Sequence, residues 1–275
     1  MAHRIIVANP AGNITALVPE GLSFNREERA EFSARLLSGG RFKIEQAGFI
    51  IKPDSEGSLW KLEMSGGEFC GNAARCFALY AACEEGRKKN VMPEEISVMI
   101  SGCNQPLKAF VKLKEETGVF VEGSASIFMP LPKRCFNMNF EGASLPVFEF
   151  EGITHIIAKA LELPENKEER RALFFYIAKK FEAEYGSPKA LGVMFFLKEM
   201  MIPAVYVYDG KSFVFESSCG SGTAAYAAYC ALEQEIGKVY VEQPGGAIEG
   251  SVSKQNGRIK TISIGGKITL EQTQF

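Results

Sequence analysis

The chain has 275 residues, of which 46% are hydrophobic and 23% are charged, and these ordinary values exclude a disordered or fibrous protein. Its 31 basic and 33 acidic residues give a net charge of −2 and a pI of about 5.9, so we expect no nucleic-acid partner. Seven cysteines accompany only two histidines, His3 and His155, which makes thiol chemistry more available than imidazole chemistry.

The amino terminus, MAHRIIVANP, lacks the apolar core and the small-residue cleavage site of a secretory signal, which predicts a cytoplasmic protein. No run approaches the roughly 18 to 20 apolar residues that cross a bilayer, so we expect no membrane anchor. The absence of a C-x-x-C pair and the isolation of both histidines predict that there is no metal site. The sequence allows a homodimer.

The first half predicts strands and two helices of different character. Arg26–Leu37 is charged on one face and predicts a surface helix that ends at two glycines. Asn72–Glu84 is apolar on nearly every face, with Arg75 as its single cation, and such a helix belongs in the interior. Apolar runs predict strands at 4–7, 14–18, 45–52, 59–64, 96–100, 107–113 and 119–122.

A proline-marked connection at Met129-Pro130-Leu131-Pro132 predicts a domain boundary. The second half then predicts a charged helix at Lys167–Glu184 and an alanine-rich, buried helix at Thr223–Gln234. Strands are predicted at 146–150, 153–158, 193–197, 204–208 and 213–216.

The two buried helices carry an internal repeat. Aligning Cys70 with Cys219, an offset of 149 residues, also matches Phe77 with Tyr226. In each half a Cys-Gly step thus opens a central helix. A weaker match pairs Ile14-Thr15 with Ile153-Thr154, each early in its half. The repeat predicts two similar domains that face each other across a cleft.

A cysteine just before a helix lies beside unpaired backbone N–H groups and the positive end of the helix dipole, which lowers a thiol pKa. The same N–H groups bind carboxylates. Two such helices could hold a small anionic ligand between two thiols. This arrangement predicts amino-acid racemisation, with Cys70 and Cys219 as the acid/base pair on opposite faces of Cα and with no cofactor.

Two alternatives compete with this hypothesis. Buried packing is the usual role of a free cysteine, and we assign it to the other five. The spacing Gly220-x-Gly222-x-x-Ala225 imitates a dinucleotide fingerprint, although it lies late in the chain and has no counterpart in the first half. No G-x-S-x-G motif occurs, which argues against a serine hydrolase, and His155 is interpreted as a structural strand residue.

Two motifs, Cys70-Gly71-Asn72-Ala73 and Ser218-Cys219-Gly220-Ser221-Gly222-Thr223, resemble the diaminopimelate epimerase superfamily of cofactor-independent amino-acid racemases and epimerases. The resemblance implies an α/β (α+β) fold of two pseudo-symmetric domains, each a curled, mostly antiparallel sheet around a central helix. It implies domain limits of 1–129, completed by 266–275, and 130–265. It also implies the acid/base roles of both cysteines.

The resemblance further implies residues that bind a small-molecule amino-acid substrate. Gly71 and Asn72, and in the second half Gly220 and Ser221, would contact its carboxylate or amine. Asn13 and Gln46 would line the same pocket.

Departures from the diaminopimelate epimerases concern the distal end of the substrate. The arginine expected just before Cys219 is absent, and Ile153 and Gly192 occupy positions of ligand-binding asparagines. Strings such as Asn9-Pro10-Ala11-Gly12-Asn13 and Met64–Cys70 resemble the histidine racemases of opine-type metallophore biosynthesis instead. We therefore expect a racemase whose favoured substrate is histidine; diaminopimelate epimerisation is the second hypothesis and proline-type racemisation the third.

Overall fold

A computed structural model describes residues 3–19, 24–55 and 57–275. Its contacts divide the chain into two units, Met1–Met129 with Ser263–Phe275, and Pro130–Ile262. We propose that these units are the two epimerase-like domains. The predicted domain limits remain a prediction; they are 1–129 completed by 266–275 for the first domain and 130–265 for the second.

The first unit is a ring of strands around one helix. Seven strands, two helices and the end of the last strand of the chain form it: β1 Arg4–Asn9, β2 Thr15–Val18, α1 Arg26–Leu37, β3 Gln46–Ile51, β4 Trp60–Met64, α2 Gly71–Lys89, β5 Glu95–Ile100, β6 Leu107–Glu116, β7 Phe120–Met129 and β16 Arg258–Gln274. The strand order is β1-β2-β3-β4-β5-β6-β7-β16, and β1 also pairs with β16, so the ring closes. The pairs β2–β3 and β4–β5 are parallel.

Helix α2 forms the centre of this ring. Every residue from Gly71 to Cys83 is buried, including Arg75, as the apolar pattern predicted. The helix runs past the predicted end at Glu84 to Lys89, because its last turn is polar and is stabilised by pairs such as Glu85 with Lys89 rather than by burial. Asn90 ends it in the left-handed conformation, with φ of 55°.

The second unit contains eight strands and two helices. They are β8 Arg134–Phe140, β9 Ala143–Glu149, β10 Thr154–Ile157, α3 Lys167–Tyr185, β11 Ala190–Leu197, β12 Met200–Val207, β13 Ser212–Phe215, α4 Gly220–Glu233, β14 Lys238–Val241 and β15 Ile248–Gln255. Six of the strands form a sheet in the order β13-β12-β11-β10-β9-β8. Buried Phe174, Ile177 and Phe181 of α3 belong to the hydrophobic core of this unit. Helix α4 contacts β15, β14 and β10, and its buried face is mostly alanine.

The internal repeat is visible in strand pairing as well as in sequence. Strands β2 and β10 are both four residues long and wholly buried. Each pairs antiparallel with the strand before it and parallel with the strand that follows the next helix, α1 or α3. The weak match of Ile14-Thr15 with Ile153-Thr154 therefore marks equivalent elements. The two-domain α+β architecture predicted from the resemblance is confirmed.

Four strands were not predicted: β8, β14, β15 and β16. β8 and β15 are rich in polar residues and β14 has only four residues, while β8 alternates exposed residues with buried Met138 and Phe140. Strand β16 is interrupted by Gly265-Gly266, which obscures an apolar pattern. Their pairing partners include sequence neighbours, since β8 pairs with β9 and β14 pairs with β15, so these strands were missed because their sequences lack a clear apolar run.

Candidate active site

Cys70 is the N-cap residue of α2 and begins the site in the first unit. Its backbone is extended, with φ −128° and ψ 114°, and its carbonyl oxygen accepts the first helical hydrogen bond from the Ala74 N–H at 2.9 Å. The Sγ atom accepts a hydrogen bond from the Ala73 N–H at 3.4 Å, and the residue is half-buried. The thiol thus occupies the position where Ser or Asp normally caps a helix.

Cys219 repeats this geometry at the start of α4 in the second unit. Its φ of −125° and ψ of 111° differ from those of Cys70 by only 3° each. The Sγ atom accepts a hydrogen bond from the Gly222 N–H at 3.3 Å, and the Thr223 N–H donates to the Cys219 carbonyl oxygen at 2.9 Å. Both thiols therefore lie at the positive end of a buried helix, although the prediction placed the helix starts at Asn72 and Thr223.

The expected lowering of the thiol pKa is wrong for Cys219. Burial is the largest effect and raises the pKa of the Cys219 thiol well above its usual value, and the carboxylate of Glu216 raises it further. Hydrogen bonds from Ser221 and the Gly222 N–H lower it, but they are the smaller effects. The free protein therefore holds Cys219 as a thiol at neutral pH, because burial outweighs the hydrogen bonds that favour the thiolate.

A buried arginine ties the start of α2 to the first loop. The guanidinium of Arg75 donates from Nη2 to the Pro10 carbonyl oxygen at 2.6 Å and from Nε and Nη2 to Asn72 Oδ1 at 3.3 Å. Burial lowers the pKa of Arg75, while the nearby Cys76 and Cys70 raise it. An arginine remains charged in proteins, so a cation lies within electrostatic reach of Cys70.

The structure brings Asn13 and Gln46 together. Gln46 Nε2 donates to Asn13 Oδ1 and, at 2.9 Å, to Thr15 Oγ1. Asn13 Nδ2 donates to the Glu45 carboxylate at 3.2 Å, so Glu45 also joins the cluster. Glu45 was not predicted as a site residue. Its signal was weak, since a half-buried glutamate at the start of a strand is common.

Gly71 is closely packed against two side chains of the first unit. A Cβ atom there would lie 2.8 Å from Met129 Cε and 2.9 Å from Ile264 Cδ1. Asn72, the next residue of α2, is buried and accepts from Arg75 as described above. The predicted roles of Gly71 and Asn72 in binding substrate stay predictions.

Ser221 connects Cys219 to a buried histidine. Ser221 Oγ lies 3.6 Å from Cys219 Sγ and 2.8 Å from His155 Nε2. Burial lowers the pKa of His155 to about 3, so its imidazole is neutral. His155 is a buried strand residue, as expected, but it also contacts a predicted substrate-binding residue, which no spacing in the sequence indicated. Gly220 is buried at the first position of α4.

Two glycines make room for this arrangement. A Cβ atom at Gly192, on β11, would lie 2.3 Å from His155 Nδ1. The buried imidazole therefore leaves no room for a side chain at position 192, where the diaminopimelate epimerases are expected to have a ligand-binding asparagine. A Cβ atom at Gly222 would lie 2.2 Å from Met194 Sδ. Close packing in the second unit therefore accounts for Gly222, the glycine that suggested a nucleotide-binding loop.

Residues 3–19, 24–55 and 57–275 contain no group of three His, Cys, Asp or Glu side chains that could hold a metal ion. In this same part of the chain, no helix is both long enough and apolar enough to traverse a bilayer.

Comparison with known sequences identifies the family. Residues 4–273 match the family model described as "Histidine racemase CntK N-terminal domain". The chain belongs to this family. A histidine racemase of Fusobacterium nucleatum subsp. nucleatum is 32% identical over 248 residues, which cover 89% of this chain and 87% of the relative. A histidine racemase of Staphylococcus aureus strain Mu50 is 25% identical over 245 residues, covering 87% of this chain and 85% of the relative.

Solved structures show the same fold at low sequence identity. Phenazine biosynthesis proteins of the PhzF family from Bacillus anthracis and Enterococcus faecalis give TM-scores of 0.66 and 0.60. Their sequences are 12% and 14% identical, and each match covers 100% of this chain and 99% of the other. The predicted resemblance to the diaminopimelate epimerase-like fold and to histidine racemases is confirmed. As a member of the histidine racemase family, the chain is an isomerase.

Proposed function

We propose that the chain is a cofactor-independent histidine racemase that uses Cys70 and Cys219 as its acid/base pair. The observation that carries the proposal is the matched geometry of the two cysteines: each is an extended N-cap residue whose Sγ accepts from the N–H three residues later. Histidine is the proposed substrate because the curated relatives from both organisms are histidine racemases.

In the proposed reaction the substrate Cα loses one proton to one cysteine and gains one proton from the other. One cysteine, as the thiolate, removes the Cα proton and becomes a thiol, which leaves the electron pair delocalised into the substrate carboxylate. The other cysteine, as the thiol, donates its proton to the opposite face of Cα and becomes the thiolate. The two cysteines exchange protonation states in each turnover, so either enantiomer can be the substrate.

The electrostatic part of the proposal assigns the substrate carboxylate to helix amino termini. The first N–H groups of a helix have no acceptor within the helix, and their dipoles favour an anion. Negative charge grows on the carboxylate as Cα ionises, and fixed N–H dipoles stabilise that charge in the transition state. Gly71 and Asn72 begin α2, and Gly220 and Ser221 begin α4, which supports their assignment as substrate-binding residues.

The raised pKa of Cys219 fits the role of the proton donor in the free enzyme. Cys70 would then be the first base, helped by the buried positive charge of Arg75. Asn13 and Gln46 form a hydrogen-bonded amide pair, and we propose that this pair lines the substrate pocket. Cytoplasmic location and a homodimer remain predictions.

The test is racemisation of L- and D-histidine by the purified protein without added cofactor, followed by chiral chromatography. We expect Cys70→Ser and Cys219→Ser each to lower kcat by about 10²–10⁴-fold, since each removes one proton-transfer group. Cys230→Ser is the matched control, because it changes another buried cysteine of the same helix, α4. Racemisation at the wild-type rate by both Cys70→Ser and Cys219→Ser would refute the two-cysteine mechanism.

A further inference from the structure

A closed ring of three hydrogen bonds surrounds the backbone of Cys219. The Cys219 N–H donates to Gln243 Oε1 at 2.8 Å, and Gln243 Nε2 donates to Thr223 Oγ1 at 3.0 Å. The Thr223 hydroxyl in turn donates to the Cys219 carbonyl oxygen at 2.8 Å. The ring therefore holds both backbone polar groups of the cysteine through two side chains from different elements.

All three members of the ring are buried: Thr223 is fully inaccessible, and Gln243 and Cys219 are 3% and 5% exposed. A buried hydrogen bond is costly to break because water cannot replace the lost partner. The choice of donor and acceptor in one of these hydrogen bonds also determines the donor and acceptor in the other two. The amide of Gln243 must present its oxygen to the N–H, which leaves its NH₂ group for Thr223 and leaves the threonine hydrogen for the Cys219 carbonyl.

The segment that carries Gln243 is itself fixed to the short connection between β13 and Cys219. Gln243 lies just after β14, and the Gly245 N–H donates to the Ser217 carbonyl oxygen at 2.7 Å. The Gly246 N–H donates to the Gln243 carbonyl oxygen at 3.0 Å, which closes a tight turn. The β14–β15 connection thus bonds to Ser217, before Cys219, and to Thr223, after it, so it fixes the chain on both sides of the start of α4.

The first unit uses a different device at the equivalent place. The residue four positions after Cys70 is Ala74, which has no hydroxyl group to return a hydrogen bond to the cysteine carbonyl. The start of α2 is instead tied by Arg75 through Asn72 and Pro10. The ring around Cys219 is therefore not a general requirement for an N-cap cysteine in this fold.

We infer that Gln243, acting through Thr223, is a positioning residue that fixes the direction of the Cys219 Sγ toward the substrate Cα. The inference rests on the proposed two-cysteine function and deepens it. Rotation of the Cys219 backbone moves Sγ with it, and a displacement of about 1 Å at a reacting atom can cost about 10²-fold in rate. Neither Gln243 nor Thr223 touches the Sγ atom through any of these bonds, so their effect is on geometry and not on proton transfer itself.

The experiment compares four variants in the histidine racemisation assay. Gln243→Leu and Thr223→Val each open the ring while keeping the side-chain volume, and we expect kcat to fall by about 10–100-fold with KM within about threefold of wild type. Thr223→Ser keeps the hydroxyl and should retain kcat within about threefold. Tyr208→Phe is the matched control, because it removes another hydrogen bond of the second unit, to Glu182.

A primary kinetic isotope effect separates positioning from a merely structural role. With α-deuterated histidine as substrate, a misplaced Cys219 makes proton transfer more rate-limiting, so the isotope effect on kcat should rise in Gln243→Leu and Thr223→Val. A variant that only lost folded protein would show a lower kcat with an unchanged isotope effect, which would overturn the inference. Should Gln243→Leu fail to fold, the contrast between Thr223→Val and Thr223→Ser decides the question.

Different results would refute the proposed racemase function and the positioning role of Gln243 and Thr223. A wild-type protein that does not racemise histidine refutes the proposed function, and the inference falls with it. A wild-type protein that is active and loses activity in Cys219→Ser, together with full activity in Gln243→Leu and Thr223→Val, refutes the positioning role alone.

Discussion

Replacement of His155 by glutamine should remove a specific part of the acid sensitivity of the fold. The imidazole of His155 is fully buried, its Nε2 is hydrogen-bonded to Ser221, and its Nδ1 has no hydrogen-bond partner in the part of the chain that the structure describes. Burial lowers its pKa from 6.5 to about 3. Below pH 6.5 the imidazole of His155 is protonated in the unfolded chain but stays neutral in the folded protein.

The magnitude follows from this difference in proton uptake. A group with a lower pKa in the folded state costs no stability above its unfolded pKa of 6.5, and stability then falls until the pH approaches about 3. Each pH unit within that window is worth about 1.4 kcal/mol. Between pH 7 and pH 5, His155 alone should therefore lower the free energy of unfolding by about 2 kcal/mol.

The assay is urea unfolding of wild type and His155→Gln at pH 7 and pH 5, followed by intrinsic fluorescence. The glutamine variant should be less stable at pH 7, because a well-packed ring is lost, but its decrease between pH 7 and pH 5 should be smaller than that of wild type by about 2 kcal/mol. Met201→Leu, a neutral change at a buried residue of β12, should keep the wild-type decrease. Equal decreases in wild type and His155→Gln would refute the assignment of a buried neutral imidazole.

Two further substitutions probe the packing around the site. Arg75→Met should destabilise the protein by about 2 kcal/mol in urea unfolding, because the buried acceptors on Pro10 and Asn72 lose their donor; an unchanged midpoint would contradict this. Gly192→Ala should cost about 1–3 kcal/mol, since its Cβ would lie 2.3 Å from a ring atom of the buried imidazole, whereas Gly118→Ala, with no atom within 4 Å, should be neutral. Equal stability of the two alanine variants would show that the strand relaxes.

Hydrophobic pattern was sufficient to predict the elements that form the two cores. Helix α1 was predicted with both of its ends, because Arg26–Leu37 has one charged and one apolar face and two glycines follow Ser38. The buried helices were also predicted, since an apolar sequence with one cation has no stable place on a surface. Strand β15 was missed although it pairs with its sequence neighbour β14, because its polar sequence has no continuous apolar run.

The same distinction applies to the candidate site. The cysteines could be found because each precedes a glycine at a repeated helix start, which is a local signal. Gln243 is 24 residues after Cys219, and its role depends on a connection between strands that were not predicted. The contact of His155 with Ser221 likewise joins residues 66 positions apart. No spacing rule predicts such contacts, because tertiary packing creates them.

An exchange screen in deuterated water across the L-amino acids and diaminopimelate, with no cofactor added, tests whether the protein is a racemase. L-Histidine should gain one deuterium at Cα while its optical rotation falls to zero. Exchange restricted to diaminopimelate would show that the reaction class is right and that histidine is not the substrate. If no amino acid exchanges its Cα proton, the protein is not a racemase of the two-cysteine type.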